Sequence, residues 1–238
     1  NLEEVADDKC KVLILSNPHN PAGIVWDKDT LARLAEFCYD HNILVISDEI
    51  HCDMAFWGNT HVPFATASDK AAQCSITFGA PSKTFNIAGI VSSYSIIPND
   101  EIRNRFYTWL AANELNEAPM FSPIATIAAF KNGEQWRKAM LHYVEQNIIF
   151  MEEYCKTHLP KIKPLRPEAS FLVWLDCRAL GLNHEQLIDL FVNKAHLALN
   201  DGEMFGKGGA GFMRVNVGTP RPILTKALEQ LTKAVAEI

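Results

Sequence analysis

The chain has 238 residues, with 22 Lys and Arg against 28 Asp and Glu for a formal net charge of -6. Its 48% hydrophobic content is enough to bury a core, which excludes a wholly disordered chain. The acidic balance and the lack of any Lys/Arg run argue against a nucleic-acid binder. No apolar stretch approaches the ~20 residues that cross a bilayer, so no membrane partner is expected.

Residues Asn1 to Asp8 read as neither signal nor transit peptide and carry no initiator Met, so the chain is expected to be processed or cut from something longer. Lys11 to Leu15 (KVLIL) reads as a buried strand. Asp27 is placed to cap a helix in which Leu31, Leu34, Ala35 and Cys38 recur at helical spacing. Further strands are expected at Ile43 to Ser47, Cys74 to Phe78 and Val91 to Ile96. Continuous apolar strands joined through helices predict an α/β fold, with a mainly parallel sheet covered on both faces.

After Pro98 the pattern turns helical, with helices predicted over Ser122 to Phe130 and Glu134 to Tyr154, the latter through Trp136, Met140 and Tyr143. The composition shifts at Leu159 to Pro167, and a smaller α+β domain is expected beyond it. This places the domains at 1–155 and 156–238. In the second, Phe171 to Leu175 and Phe212 to Val217 read as strands. Asn183 and Gln186 form a capping-box pattern ahead of Leu187, Leu190 and Phe191. Thr219-Pro220 opens a last helix with the stripe Leu224, Leu228, Leu231 and Val235. The six cysteines are widely spaced without a CxxC. They read as buried thiols in a reducing cytoplasm, not as disulfides or zinc ligands.

Gly206 to Gly211 (GKGGAG) fits G-x-G-x-x-G, but a strand and not a helix is predicted after it. A pyrophosphate needs that helix N-terminus, so the segment reads as a mobile glycine loop. Four other strings carry more. SNPHNPAG (Ser16 to Gly23) makes a rigid turn where the first strand ends, on the edge at which open α/β sheets bind ligands. SDEIH (Ser47 to His51) puts Asp48 at a buried strand end, which is costly without a positive partner. APSKTFNIAGI (Ala80 to Ile90) puts Lys83 just past the third strand. GFMRVNVGTPR (Gly211 to Arg221) puts Arg214 inside a strand, where it wants a carboxylate. Taken singly, each has an ordinary alternative: a turn Asn, a capping Asp, a solvated Lys, an internal ion pair. Taken together, an amine, a carboxylate, a neutral donor and a carboxylate clamp are what a Schiff base of pyridoxal phosphate requires.

These four strings, in this order, resemble the class I/II aminotransferase superfamily of fold type I, and most closely its cystathionine β-lyase (C–S lyase) branch. The resemblance implies a pyridoxal 5'-phosphate cofactor, a large cofactor-binding domain followed by a small C-terminal one, and a homodimer. It implies that Lys83 is the Schiff-base lysine and Asp48 the pyridinium partner. Asn20 and His51 would contact the phenolic oxygen, Ser82 the phosphate, and Arg214 the α-carboxylate of an amino acid substrate. Relatives often carry a Ser and a basic residue where Ala80 and Val91 stand, so phosphate binding leans on other groups. They also carry a long N-terminal portion, and the chain looks like the C-terminal ~60% of the two-domain layout. The resemblance predicts β-elimination of a thiol from a cystathionine- or cysteine-like amino acid. Amino-group transfer is the alternative, and an inert fragment or interaction module a third reading.

Overall fold

The computed structural model describes residues 2–238. They divide into two units: residues up to His19 with Ile24–Arg137, and Asn20–Gly23 with Lys138–Ile238.

The first unit runs α1 (Leu2–Val5), β1 (Val12–Ser16), α2 (Lys28–Asp40), β2 (Leu44–Asp48), α3 (Asp69–Gln73), β3 (Ser75–Gly79), α4 (Pro81–Thr84), β4 (Tyr94–Ile96), α5 (Asp100–Ala112) and α6 (Ser122–Asn132). The sheet order is β1-β2-β3-β4. The first three strands are parallel, and β4 is antiparallel to β3. β4 is shorter than the run Val91 to Ile96 predicts, because Val91 adopts φ 52°, which no strand accommodates. Asp27 caps α2 as its sequence position suggests: its carboxylate accepts from the Thr30 amide at 2.8 Å and the Thr30 hydroxyl at 2.7 Å. That fixes the helix so that Leu31, Ala35 and Cys38 pack with Leu15, Ile43, Val45 and Phe64.

The expectation that both faces of this sheet are covered does not hold at β1. Side chains alternate faces along a strand. Leu13 and Leu15 join the core under α2, while Val12 and Ile14 on the other face are 52% and 76% exposed.

The second unit contains most of α7 (Glu134–His158), then β5 (Lys163–Leu165), β6 (Leu172–Asp176), α8 (His184–Asp189), β7 (Asn200–Asp201), β8 (Phe212–Asn216) and α9 (Arg221–Val235). Its sheet, ordered β5-β6-β8-β7, is antiparallel throughout. The Asn183–Gln186 capping box forms in both directions, at 2.9 and 3.0 Å. α8 then widens into a π turn, Leu190–Lys194, that buries Leu190 and Phe191. The buried stripe of α7 is Val144, Ile148, Met151 and Cys155; Trp136 and Tyr143, which mark the helix in sequence, are exposed. α9 buries Leu224, Leu228, Leu231 and Ala234, with Val235 only half-buried.

The glycine-rich segment folds into two short 3-10 turns, Gly202–Phe205 and Lys207–Gly209, and a strand follows it. Its glycines answer a close approach: a Cβ on Gly209 would lie 1.9 Å from the Gly202 carbonyl oxygen. The six cysteines are free thiols; Cys38, Cys74, Cys155 and Cys177 are buried, and Cys10 and Cys52 half-buried. Among the described residues no helix is long and apolar enough to cross a membrane.

Candidate functional site

β2 and β3 are parallel neighbours, with Asp48 opposite Phe78, so both chains leave the sheet at one edge. Asp48 is half-buried there, and its Oδ1 accepts from the Ile50 amide at 3.2 Å. β3 ends at Gly79, a glycine because the Tyr94 ring lies against it; a Cβ would come within 2.4 Å of Tyr94 Cζ. Burial first, and then Cys52, Asp53 and Glu49, push the Tyr94 phenol up to about 12. α4 starts at once with Pro81 at its first position, which suits a residue lacking an N–H. This carries Ser82 and Lys83 just past the end of β3, on the sheet edge where β2 ends in Asp48. Lys83 is exposed, and neither its ammonium nor the Ser82 hydroxyl makes a hydrogen bond or ion pair among the described residues.

The short α4 is held from below. Thr84 Oγ1 donates to Asp53 Oδ2 at 3.1 Å. Arg137 donates to the Asp53 carbonyl at 2.8 Å while gripping Glu134 through two bonds of 2.7 and 2.9 Å. Downstream, Val91 takes its left-handed conformation with no glycine to ease it. Such strain in a β-branched residue is a mark of segments under functional constraint. His51 lies in the turn after β2 and is 4% exposed.

Behind Asp48 the structure builds something the sequence did not announce. Glu49 is 3% exposed. Its Oε1 accepts from Ser47 Oγ at 2.9 Å, the Phe64 amide at 2.8 Å and, at the long distance of 3.5 Å, Asn17 Nδ2. Its Oε2 meets His61 Nε2 at 2.8 Å. Asn17 also donates to the Val62 carbonyl at 3.0 Å, and its amide donates to the Asp48 carbonyl at 2.9 Å. Glu49 therefore ties the ends of β1 and β2 to the loop 61–64. A carboxylate preceded by another carboxylate in SDEIH is not distinguishable in sequence as the buried one of the two.

In the second unit Arg214 sits in β8, opposite Trp174 of β6 and Asn200 of β7. The sequence suggests a carboxylate partner for it, and none is present among the described residues. Instead Nη1 donates to Asn20 Oδ1 at 2.7 Å and Nη2 to Asn200 Oδ1 at 2.7 Å, both neutral amides. Nε is buried with no acceptor. The Phe205 ring lies 4.6 Å from the guanidinium carbon. Burial pulls the Arg214 pKa down from its ordinary value. Asn20 and Arg214 were both readable as candidates; Asn200 and Phe205 lie in an aperiodic stretch that gives no signal of their role.

The structure thus brings Asp48, Ser82 and Lys83 to one sheet edge in the first unit, and Asn20 to Arg214 in the second. A family model, aminotransferase class I and II, matches residues 1–231. The chain belongs to that family. A cystathionine beta-lyase of Bacillus subtilis (strain 168), PatB, is 40% identical over 233 residues, 98% of this chain and 60% of that protein. Cystalysin from Treponema denticola, whose structure contains a pyridoxal 5'-phosphate cofactor, superposes with a TM-score of 0.90 at 33% identity, over 95% of this chain and 58% of its own. A pyridoxal-phosphate-bound C–S lyase from Staphylococcus hominis does so with a TM-score of 0.84 at 34% identity, over 94% and 57%. The chain spans about 60% of the length of the curated relative it matches.

Proposed function

We propose that this chain carries the cofactor-anchoring and carboxylate-binding residues of a pyridoxal 5'-phosphate-dependent C–S β-lyase of amino-acid metabolism, acting on cystathionine- or cysteine-like substrates. The observation that carries the reading is the pair of unanswered cations. Arg214 is held by neutral amides with no anion, and Lys83 stands at a sheet edge with no partner among the described residues. The donor set fits the cofactor: an exposed amine, a half-buried carboxylate on the adjacent strand end, and a hydroxyl one residue before the amine. In this reading residues 1–155 belong to the large domain and 156–238 to the small one, in a cytoplasmic homodimer.

When bound, pyridoxal phosphate supplies an aldehyde that an amine can capture and a ring that withdraws electrons from Cα. Lys83 would be the amine that holds the aldehyde and the base that takes the substrate's Cα proton. Asp48 would keep a proton on the ring nitrogen by charge pairing. Ser82 would donate to the phosphate and His51 would contact the phenolic oxygen. Asn20, whose amide oxygen accepts from Arg214, would contact the phenolic oxygen as well. Arg214 would grip the α-carboxylate with charge-assisted bonds. In the overall reaction the Cα–H and Cβ–S bonds break, sulfur leaves with the electron pair and is protonated to the thiol, and water hydrolyses the remaining three-carbon enamine to pyruvate and ammonia.

The lyase chemistry rests on the likeness to the proteins named above. The shared residues serve amino-group transfer equally, and that remains the second reading because the matching family model is that of aminotransferases. The deciding experiment incubates the purified protein with pyridoxal phosphate and L-cystathionine and measures pyruvate and free thiol. Turnover without a keto acid supports the lyase. Turnover only with an added keto-acid acceptor supports the transferase. Protein that stays colourless with the cofactor, with no adduct trapped on Lys83 by borohydride, refutes both.

A further inference from the structure

Of the five N–H donors of a guanidinium, Arg214 uses two within the second unit, one to Asn20 and one to Asn200. The other three make no bond among the described residues. What surrounds them holds the group still without neutralising it. Asn200 faces Arg214 from the paired position on β7 and offers an amide oxygen. Phe205 covers the guanidinium at 4.6 Å. The ring is itself anchored: Trp174 meets it edge-on at 5.6 Å, and Trp174 stacks on Phe212 at 5.3 Å with 12° between planes. Asp201 caps the turn that carries Phe205, accepting from the Glu203 amide at 3.0 Å, and the Gly202–Gly209 approach closes that turn.

We propose that Phe205 and Asn200 are positioning residues: they fix the plane and the rotation of the Arg214 guanidinium so that its remaining Nη N–H donors meet a substrate carboxylate edge-on. The inference rests on the reading that Arg214 binds that carboxylate. The chemistry of the two partners supports it. A ring face attracts a cation without supplying a counter-charge, so the group stays charged and pre-oriented. A neutral amide accepts from one Nη while leaving the positive charge for the ligand. An aspartate at position 200 would make a better internal pair and a worse binding site, because the incoming carboxylate would meet a cation already satisfied.

The test measures propionate affinity by saturation-transfer NMR on the purified protein, and KM and kcat with L-cystathionine on the cofactor-loaded protein. Phe205→Leu keeps bulk and loses the ring face; propionate binding should weaken about 3- to 10-fold. Phe205→Tyr restores the face and should bind within about twofold of the parent. Asn200→Asp should weaken propionate by at least about tenfold while the melting temperature holds or rises, an outcome that a purely structural role for Asn200 does not give. In the loaded protein both weakening variants should raise KM more than they lower kcat. The proposal is overturned if Phe205→Leu and Asn200→Asp bind propionate as the parent does; loss of binding in Arg214→Gln then shows that Arg214 still holds the carboxylate. If Arg214→Gln itself binds propionate normally, the underlying reading falls and this inference with it.

Discussion

A buried carboxylate in the first unit and a half-buried guanidinium in the second are handled in opposite ways. Glu49 is surrounded by Ser47, Asn17, His61 and the Phe64 amide, and both of its oxygens are engaged inside the first unit. Arg214 is equally well located by hydrogen bonds, but its acceptors are two amide oxygens that carry no charge. A buried carboxylate whose two oxygens are both met by donors inside the fold is a structural fixture. A partly buried ion that is held in place and left charged costs stability, and the natural explanation is a ligand of opposite sign.

The sharpest way to break this contrast is to truncate the structural charge. Glu49→Ala leaves several buried donors without an acceptor and should destabilise the protein by ~3–5 kcal/mol. Urea unfolding measures it. Glu49→Gln keeps an acceptor oxygen and should cost visibly less. A loss below ~1 kcal/mol in Glu49→Ala would mean that the network is not what fixes the ends of β1 and β2.

The matching change on the other side is Arg214→Met, which keeps much of the stem and removes the charge. It should cost no more than ~2 kcal/mol, less than Glu49→Ala, because two bonds to exposed or half-buried amides are lost but no ion pair is broken and a desolvated cation is relieved. The same variant should lose ~1.5–3 kcal/mol of affinity for a carboxylate ligand, the range of a hydrogen bond to a charged group. If instead it unfolds as readily as Glu49→Ala, Arg214 is a structural cation and the contrast fails.

How much of this was legible in sequence follows from the range of the forces involved. Asp27, Asn183 and Gln186 act within a few residues of their own positions, and their caps formed as read. Strand periodicity located β1, β2, β3, β6 and β8 to within one or two residues. The edge strands β5 and β7 were invisible: one contains a proline and the other has two residues, too little for a period. Lys83, Asp48, Asn20 and Arg214 stand out as candidates because each lies beside turn or strand signals that place it at an edge. Glu49, Phe205 and Asn200 do not, because their contacts depend on the folded chain, or on which of two adjacent carboxylates points inward. The exposed Val12 and Ile14 escaped for a related reason: a buried apolar run specifies that a strand wants cover on two faces, not that both are covered.

The cysteines supply a third term in the comparison, burial with no charge to answer. Burial pushes the Cys38 and Cys74 thiols up to about 11 and those of Cys52, Cys155 and Cys177 up to about 12. At pH 8 the thiolate fraction at these five is on the order of one part in a thousand or less, and the thiolate is the reactive form. A disulfide-exchange reagent at pH 8 should modify Cys10 at least about tenfold faster than any of them, and reach all six only after unfolding. A second rapidly reacting thiol in the native protein would show that one of the buried sites opens readily.

The smallest effect belongs to a charge answered at the surface. Arg178 Nε and Nη2 bond to the two Asp176 oxygens at 2.9 and 2.7 Å, and the Arg178 side chain is 64% exposed. These bonds, more than any other influence, hold the Asp176 carboxyl below the usual carboxylate range. A folded-state value lower than the unfolded one means that the pair stabilises the protein above the unfolded value, near ~3.9, and that this is lost as pH falls through the lowered folded value. Solvent screening limits the worth of such an exposed pair to ~1 kcal/mol at most. Asp176→Asn should therefore be less stable than the parent by no more than that at pH 7, and the gap should close as the pH is brought toward 2–3. A gap that persists in acid would assign the stabilisation to the geometry of the bonds, which an amide partly reproduces, and not to the charge.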